Sequence, residues 1–174
     1  GINENNSITA QKEIAYNYAK KNGKNSFFYF EPEMQRVFIQ HLTIQTRMNA
    51  ALLESNFTQY YQPQFDIQSG KLRGFEALIR WNYKELGNIS PAVFIPLAEE
   101  TGLIIPIGRW VLYTALNTLN TWQAKYDFRG IISVNVSPIQ LLQDNFVSEL
   151  ADLIASYKVN PELLEIEITE GVMI

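Results

Sequence analysis

Residues 74–81 read GFEALIRW, and this stretch decides the fold of the chain. Side chains of two kinds alternate along it, as they do in a β-strand, where neighbouring residues point to opposite faces. One face would be apolar and the other mixed: Phe75, Ala77, Ile79 and Trp81 against Glu76, Leu78 and Arg80. A solvated face explains the two charged residues simply and a functional site explains them as well, so the choice depends on the other strands.

The composition describes an ordinary folded domain. The chain has 174 residues, of which 47% are hydrophobic and 18% charged, enough to bury a sizeable core. No stretch reaches the roughly 18 apolar residues of a membrane span. The net charge of −4 lacks the basic field of a DNA- or RNA-binding protein.

The counts of cysteine and histidine limit the chemistry. The absence of cysteine excludes disulfides and thiol catalysis and favours a cytoplasmic location, although a longer parent protein would be free to carry an upstream membrane anchor. His41 is the only histidine, so a metal site would have to use oxygen ligands, which suit Mg²⁺, Mn²⁺ or Ca²⁺.

Apolar periodicity predicts five helices and several strands. The helices are 8–22, 33–55, 90–102, 106–126 and 145–159, and the strands are 26–30, a hairpin at 57–81 with its turn at 69–71, 130–137 and 163–170. Ser7 or Thr9 is the expected cap of the first helix, and Ser90 and Gly102 the expected cap and stop of the third. Strands that alternate with helices from residue 57 onward indicate parallel crossovers and an α/β fold.

Two further strands repeat the pattern of the opening stretch. In 130–137, Ser133 and Asn135 alternate with apolar residues, and in 163–170, Glu165 and Glu167 do so. If these strands curl into a barrel, Glu76, Asn135 and Glu167 converge on a site suited to a hard cation. Arg80 would lie near it and could hold a phosphate.

Each of these residues also has a simpler interpretation. An isolated glutamate on a strand is usually solvated, and an arginine is more often a salt-bridge partner than a ligand clamp. Asn135 could satisfy backbone groups, and Glu165 with Glu167 could form an exposed acidic pair. Periodicity alone leaves both interpretations open.

Four segments together resemble the EAL-domain family of cyclic-di-GMP phosphodiesterases. They are YYQPQFDIQSGKLRGFEALIRW (60–81), ISPAVFIPLAEETGLIIPIGRWVL (89–112), SVNVSPIQL (133–141) and LEIEITE (164–170). The opening stretch is the signature itself, Glu76-Ala77-Leu78 followed by Arg80, and the resemblance runs from about residue 44 to 174.

The resemblance implies a bacterial signalling enzyme on a TIM-like (β/α) barrel. In that family Mg²⁺ or Mn²⁺ activates a water that attacks one phosphodiester of cyclic-di-GMP and gives linear pGpG. Carried over by position, the expected metal ligands are Glu76, Asn135 and Glu167, the substrate-binding residues are Gln62, Leu78 and Arg80, and the catalytic residues are Glu76 and Glu170, the latter supporting a loop with further ligands.

The segment AYNYAKKNGKNSFFYF (15–30) resembles the last helix and strand of a GGDEF domain. The predicted organisation is therefore a GGDEF tail at 1–32, a linker helix at 33–55 and the N-terminal half of an EAL domain at 56–174. The apolar seam at 34–52 gives the linker helix a heptad-like pattern. No GG(D/E)EF loop is present, so cyclase activity of this polypeptide is excluded.

The chain stops after about half of the roughly 250 residues of a barrel. We therefore expect a partial barrel, a fragment inactive on its own, and a metal site that is incomplete in it. Open barrel edges predict a homodimer or a strand-exchanged oligomer. The alternative functions are a non-catalytic cyclic-di-GMP receptor and a protein-interaction module.

Overall fold

The computed structural model describes residues 2–21, 30–54 and 56–168, which fall into two compact units, Gly1–Arg47 and Met48–Ile174. The first unit holds helix α1 (Ile2–Lys21), and helix α2 (Pro32–Leu53) begins in it. Both predicted helices are confirmed, but α1 begins well before Ser7, so the capping prediction for Ser7 or Thr9 is wrong. The strand predicted at 26–30 falls almost entirely outside the described residues.

The second unit alternates strands and helices in the predicted order. Its elements are β1 (Phe57–Phe65), β2 (Leu72–Tyr83), β3 (Gly87–Ile89), α3 (Pro91–Thr101), α4 (Ile104–Tyr126), β4 (Ile131–Val136), α5 (Pro138–Leu141), α6 (Phe146–Tyr157) and β5 (Leu164–Ile168). A single 3₁₀ turn, Pro161–Leu163, precedes β5. Strand β3 and helix α5 were not predicted, because three or four residues are too few to show a period. None of the described helices has the length and apolar character needed to cross a bilayer.

The strands form one mixed sheet in the order β1-β2-β4-β5, with β3 also paired to β2. The first two strands are an antiparallel hairpin, whereas β2, β4 and β5 run parallel and are connected through helices. The hairpin turn is held by Asp66, whose carboxylate accepts hydrogen bonds from the backbone N–H and the hydroxyl of Ser69 at 2.7 and 2.6 Å. The predicted α/β class is therefore confirmed.

One face of this sheet is apolar and covered by helices. Strand residues Ala77, Ile132 and Val134 are buried against α4, with α6 packed alongside. Tyr61 is the polar exception on this face: its hydroxyl donates to Oγ1 of Thr118 at 2.8 Å, and burial raises its pKa. Helix packing over this face leaves the opposite face to carry the polar residues.

Helix α3 starts and ends where the sequence predicts, but its start is stabilised differently. The side chain of Ser90 makes no capping hydrogen bond, and instead its backbone carbonyl accepts from the N–H groups of Val93 and Phe94 at 2.9 and 3.2 Å. Ser90 is therefore the N-cap residue, as predicted, but its side chain takes no part in the capping. Gly102 ends the helix in the left-handed conformation (φ 75°), as predicted.

At Gly74 of β2, the backbone of β4 occupies the space that a side chain would need. It pairs with Ile131, and a Cβ atom at residue 74 would lie 2.0 Å from the carbonyl oxygen of Ile131. A real Cβ cannot occupy that space unless one strand moves. Glycine at this position therefore allows the β2–β4 pairing.

We predict that Gly74→Ala lowers the free energy of unfolding by about 1–3 kcal/mol, the usual cost of overpacking. Alanine in place of a strand glycine normally helps, so a loss identifies the steric contact with Ile131. Urea unfolding of the 174-residue chain measures the change. A variant as stable as the parent would show that the two strands do not approach this closely.

Candidate functional site

The face of the sheet opposite the helices carries a continuous set of polar side chains, because register partners on neighbouring strands share a face. Its members on the four long strands are Thr58, Tyr60, Gln62 and Gln64; Glu76, Leu78 and Arg80; Ser133 and Asn135; and Glu165 and Glu167. Leu78 is the apolar exception. The parallel strands present these side chains in successive layers from their amino to their carboxyl ends.

The layer at the amino ends is a closed ionic network. The guanidinium of Arg73 forms a two-pronged ion pair with Glu165 and also donates to Oε1 of Gln64 at 3.0 Å. The hydroxyl of Ser133, which is fully buried, donates to Oε1 of Glu165 at 2.7 Å. Glu165 is therefore not part of an exposed acidic pair with Glu167, which was the simpler interpretation of the sequence.

Arg73 reaches this network because the pairing of β1 with β2 is irregular. Phe65 pairs with Leu72 and Gln64 with Gly74, so Arg73 is left out of the register by a β-bulge. Strict alternation would have placed its side chain on the apolar face. The hydrogen bond from Arg73, followed by that from Ser133, holds the pKa of Glu165 below its usual value, and Glu165 in turn raises the pKa of Arg73.

The three predicted metal ligands lie on this same face, beside the ionic network. Nδ2 of Asn135 donates to Oε1 of Glu76 at 2.7 Å, which brings two of the three side chains into direct contact. Asn135 and Glu167 are direct register partners on β4 and β5, and Gln62 is the partner of Glu76 on β1. All of these residues lie on the same face; Asn135 and Glu167 are nearer the carboxyl ends of their strands, whereas Glu76 is in register with Ser133.

A cavity opens where β2 and β4 separate. Their pairing ends at Ala77 with Val134, although β2 continues to Tyr83. The resulting cavity is about 210 Å³ in volume. Its lining combines polar groups with apolar walls from α3 and α4, and includes Leu78, Arg80, Asn135, Glu99, Ser137, Ile95 and Ile107. Two predicted substrate-binding residues, Leu78 and Arg80, therefore share a cavity with Asn135.

Arg80 is held in place by two contacts on this face. Its Nη1 donates to the carbonyl oxygen of Ile79 at 2.8 Å, and its guanidinium carbon lies 5.7 Å from the ring centroid of Tyr60. A cation–π contact of this kind orients a guanidinium without neutralising its charge. The sequence did not single out Tyr60, although its alternation with Gln62 on β1 was the available signal. Glu170 lies outside the described residues.

The donor atoms of the three predicted metal ligands suit a hard cation. Because Asn135 uses Nδ2 to reach Glu76, its Oδ1 is the atom suited to a metal, together with carboxylate oxygens of Glu76 and Glu167. Across residues 2–21, 30–54 and 56–168, no group of three His, Cys, Asp or Glu side chains is placed to hold a metal. The set described here has only two carboxylates and depends on the amide as the third ligand.

Comparison with known proteins places this sheet and its polar face in a family. The model of the EAL domain matches residues 45–174. The chain belongs to the EAL-domain family. It is 35% identical over 146 residues to the cyclic di-GMP phosphodiesterase PA2567 of Pseudomonas aeruginosa, covering 83% of this chain and 25% of that protein. It is 32% identical to the bifunctional diguanylate cyclase/cyclic di-GMP phosphodiesterase MucR of the same organism, covering 91% of this chain and 23% of MucR.

The EAL chain also resembles solved structures. It matches the PaMucR phosphodiesterase, solved in complex with c-di-GMP, with a TM-score of 0.70 and 33% identity, over 74% of this chain and 52% of that one. The predicted fold class, an α/β fold with about half of a TIM-like (β/α) barrel, is confirmed. The chain spans about a quarter of the length of the curated relatives it matches.

We predict that the Arg73–Glu165 network makes stability depend on acid pH. The folded-state pKa of Glu165 is lowered, so its contribution is complete above the unfolded value and is lost as pH falls through the folded value. Between about pH 5 and about pH 3, the wild-type chain should lose more stability than Glu165→Gln.

Denaturant midpoints across this pH range measure the effect. Glu162→Gln, which changes an exposed glutamate shortly before β5, is the matched control and should follow the wild-type profile. Parallel profiles for the wild type and Glu165→Gln would show that the ion pair contributes nothing to folding.

Proposed function

We propose that this EAL domain binds cyclic-di-GMP and serves its metal-dependent hydrolysis to pGpG, in a bacterial signalling protein of which the 174 residues form a part. The observation that carries the proposal is the separation of β2 from β4, which places Arg80, Leu78 and Asn135 around one cavity, with Glu76 hydrogen-bonded to Asn135. Membership of the EAL family and relatives named as cyclic di-GMP phosphodiesterases support the same substrate.

Glu76, Asn135 and Glu167 are proposed to hold Mg²⁺ or Mn²⁺. The hydrogen bond between Asn135 and Glu76 orients both side chains before an ion arrives, which reduces the cost of ordering them. A bound divalent ion supplies Lewis acidity and lowers the pKa of water. The three side chains lie on β2, β4 and β5, which are neighbouring parallel strands, so the sheet itself fixes their spacing.

Arg80 and Leu78 are proposed to bind the dinucleotide. The guanidinium keeps its positive charge while Tyr60 and the Ile79 carbonyl orient it, so it can donate to a phosphate oxygen. Leu78 and the apolar wall formed by α3 and α4 give a base an apolar surface. Gln62 is exposed beside Glu76 and would add an amide contact at the edge of the site.

The residues before the EAL domain are proposed to be the end of a GGDEF domain. The EAL match begins at residue 45, whereas MucR, named as both a diguanylate cyclase and a phosphodiesterase, aligns with 91% of this chain and therefore with residues upstream of it. The boundaries at 1–32, 33–55 and 56–174 stay predictions. The supporting part expected of Glu170, the cytoplasmic location and the association of two copies stay predictions as well.

Binding of cyclic-di-GMP tests the proposed substrate. We predict that the chain binds cyclic-di-GMP in the presence of Mn²⁺ and that Arg80→Ala weakens binding by at least about tenfold, the loss of a charge-assisted hydrogen bond. Isothermal titration calorimetry measures the affinity. Arg129→Ala removes an exposed arginine that pairs with Asp127 and should bind like the wild type. Equal affinities of all three proteins would contradict the assignment of Arg80.

Metal binding tests the proposed ligands independently of the nucleotide. We predict that Glu76→Gln lowers the affinity for Mn²⁺ by at least about tenfold, because a neutral amide replaces a charged oxygen ligand. Electron paramagnetic resonance of free Mn²⁺ gives the bound fraction. Glu165→Gln, on the same face but in the closed ionic network, is the matched control. A larger effect of Glu165→Gln would move the proposed site to the amino ends of the strands.

A further inference from the structure

The carboxyl end of β4 lacks the support that the rest of that strand receives. Its pairing with β2 stops at Val134, one residue before Asn135, while its pairing with β5 continues through Val136. Asn135 is therefore held by backbone hydrogen bonds on one side only. On its other side lies the cavity, so besides the hydrogen bond to Glu76 the direction of its side chain depends on what holds the end of β4.

Ser137, two residues after Asn135, is held by several hydrogen bonds and so fixes the end of β4. It is 5% exposed, and its hydroxyl accepts a hydrogen bond from the backbone N–H of Ile139 at 3.3 Å. Its own backbone N–H donates to Oε1 of Gln140 at 3.2 Å. Gln140 is buried against Gly108 of α4, where a Cβ atom would lie 1.9 Å from its side-chain nitrogen. Both backbone and side chain of Ser137 are thus engaged.

A further hydrogen bond of Ser137 joins it to another residue that lines the cavity. Its hydroxyl donates a hydrogen bond to Oε1 of Glu99 at 2.6 Å, and Glu99 belongs to α3, 38 residues earlier in the chain. This is a charge-assisted bond between two groups on different elements, both lining the cavity. It joins α3 to the residue that follows β4, beyond the point where the pairing of β2 with β4 ends.

We propose that Glu99 is a positioning residue for Asn135. By accepting the hydrogen bond from the Ser137 hydroxyl, Glu99 holds the end of β4 and so directs the Asn135 amide toward Glu76 and the proposed ion. The importance of this for metal binding rests on the proposed function, whereas the effect on Asn135 itself does not. The Glu99 carboxylate is engaged by Ser137, so we assign it no ligand of its own.

Nuclear magnetic resonance of the ¹⁵N-labelled chain tests the proposal without any ligand. The side-chain amide of Asn135 is the reporter, identified by its loss in Asn135→Asp. We expect Glu99→Ala and Ser137→Ala each to broaden or shift this signal, and the double variant to do no more than Ser137→Ala alone, since Ser137→Ala already removes the bond to Glu99. Hydrogen exchange of the Ile139 amide should become about tenfold faster in both variants.

Two further variants separate positioning from general stability. Glu99→Gln keeps an oxygen that accepts a hydrogen bond from the Ser137 hydroxyl, so it should retain the wild-type Asn135 signal. Glu100→Ala changes the exposed neighbour on α3 and should leave the signal unchanged. If Glu99→Ala lowered the unfolding temperature but left the Asn135 signal and Ile139 exchange as in the wild type, Glu99 would be only structural and the proposal would be overturned.

Mn²⁺ titration of the same samples connects the inference to the site. Loss of a partner that orients a ligand typically costs 10–100-fold in metal affinity, so we expect at least about tenfold weaker binding in Glu99→Ala and recovery in Glu99→Gln. Unchanged affinity in Glu99→Ala would overturn the proposal for the metal site. If the wild type bound no Mn²⁺, the proposed function would fail, and the Asn135 signal would still decide whether Glu99 positions that residue.

Discussion

The parallel pairing of β2, β4 and β5 is the constraint on which the rest of this domain depends. Register decides which side chains share a face, and a slip of one residue would move every polar side chain to the helix-covered face. The close approach of Gly74 to the Ile131 carbonyl allows this register, because no larger residue fits there. Apolar residues such as Val134 are then buried under α4, and Asn135 necessarily points the other way.

The two ends of the polar face differ in how completely their charges are satisfied. At the amino ends, Arg73 neutralises the charge of Glu165, and Ser133 donates a hydrogen bond to the same carboxylate. This is the behaviour of a stabilising network. Toward the carboxyl ends, β2 and β4 separate and the side chains surround a cavity. In barrels of this kind, residues at the carboxyl ends of strands carry the chemistry and those at the amino ends support stability.

Alternation along single strands was enough to find the faces of the sheet, because a period of two is a local property of the chain. The same reasoning could not find Arg73, since a β-bulge reverses the side on which it lies, and nothing in the local sequence marks that bulge. Glu99 was missed for a different reason. Its partner Ser137 is 38 residues away, and only the packing of α3 beside the end of β4 brings them together.

The contact between Arg80 and the carbonyl of Ile79 has a consequence for how this position can vary. Gly74–Ala77 pair with β4 and Trp81–Tyr83 pair with β3, so the backbone between them runs past a gap in the ladder. The guanidinium donates to the Ile79 carbonyl within this stretch, and its five N–H donors leave others to reach a ligand at the same time. A lysine ammonium is a compact point charge without this planar fork. We therefore expect that a lysine at residue 80 could not bond the Ile79 carbonyl and a ligand in the same way.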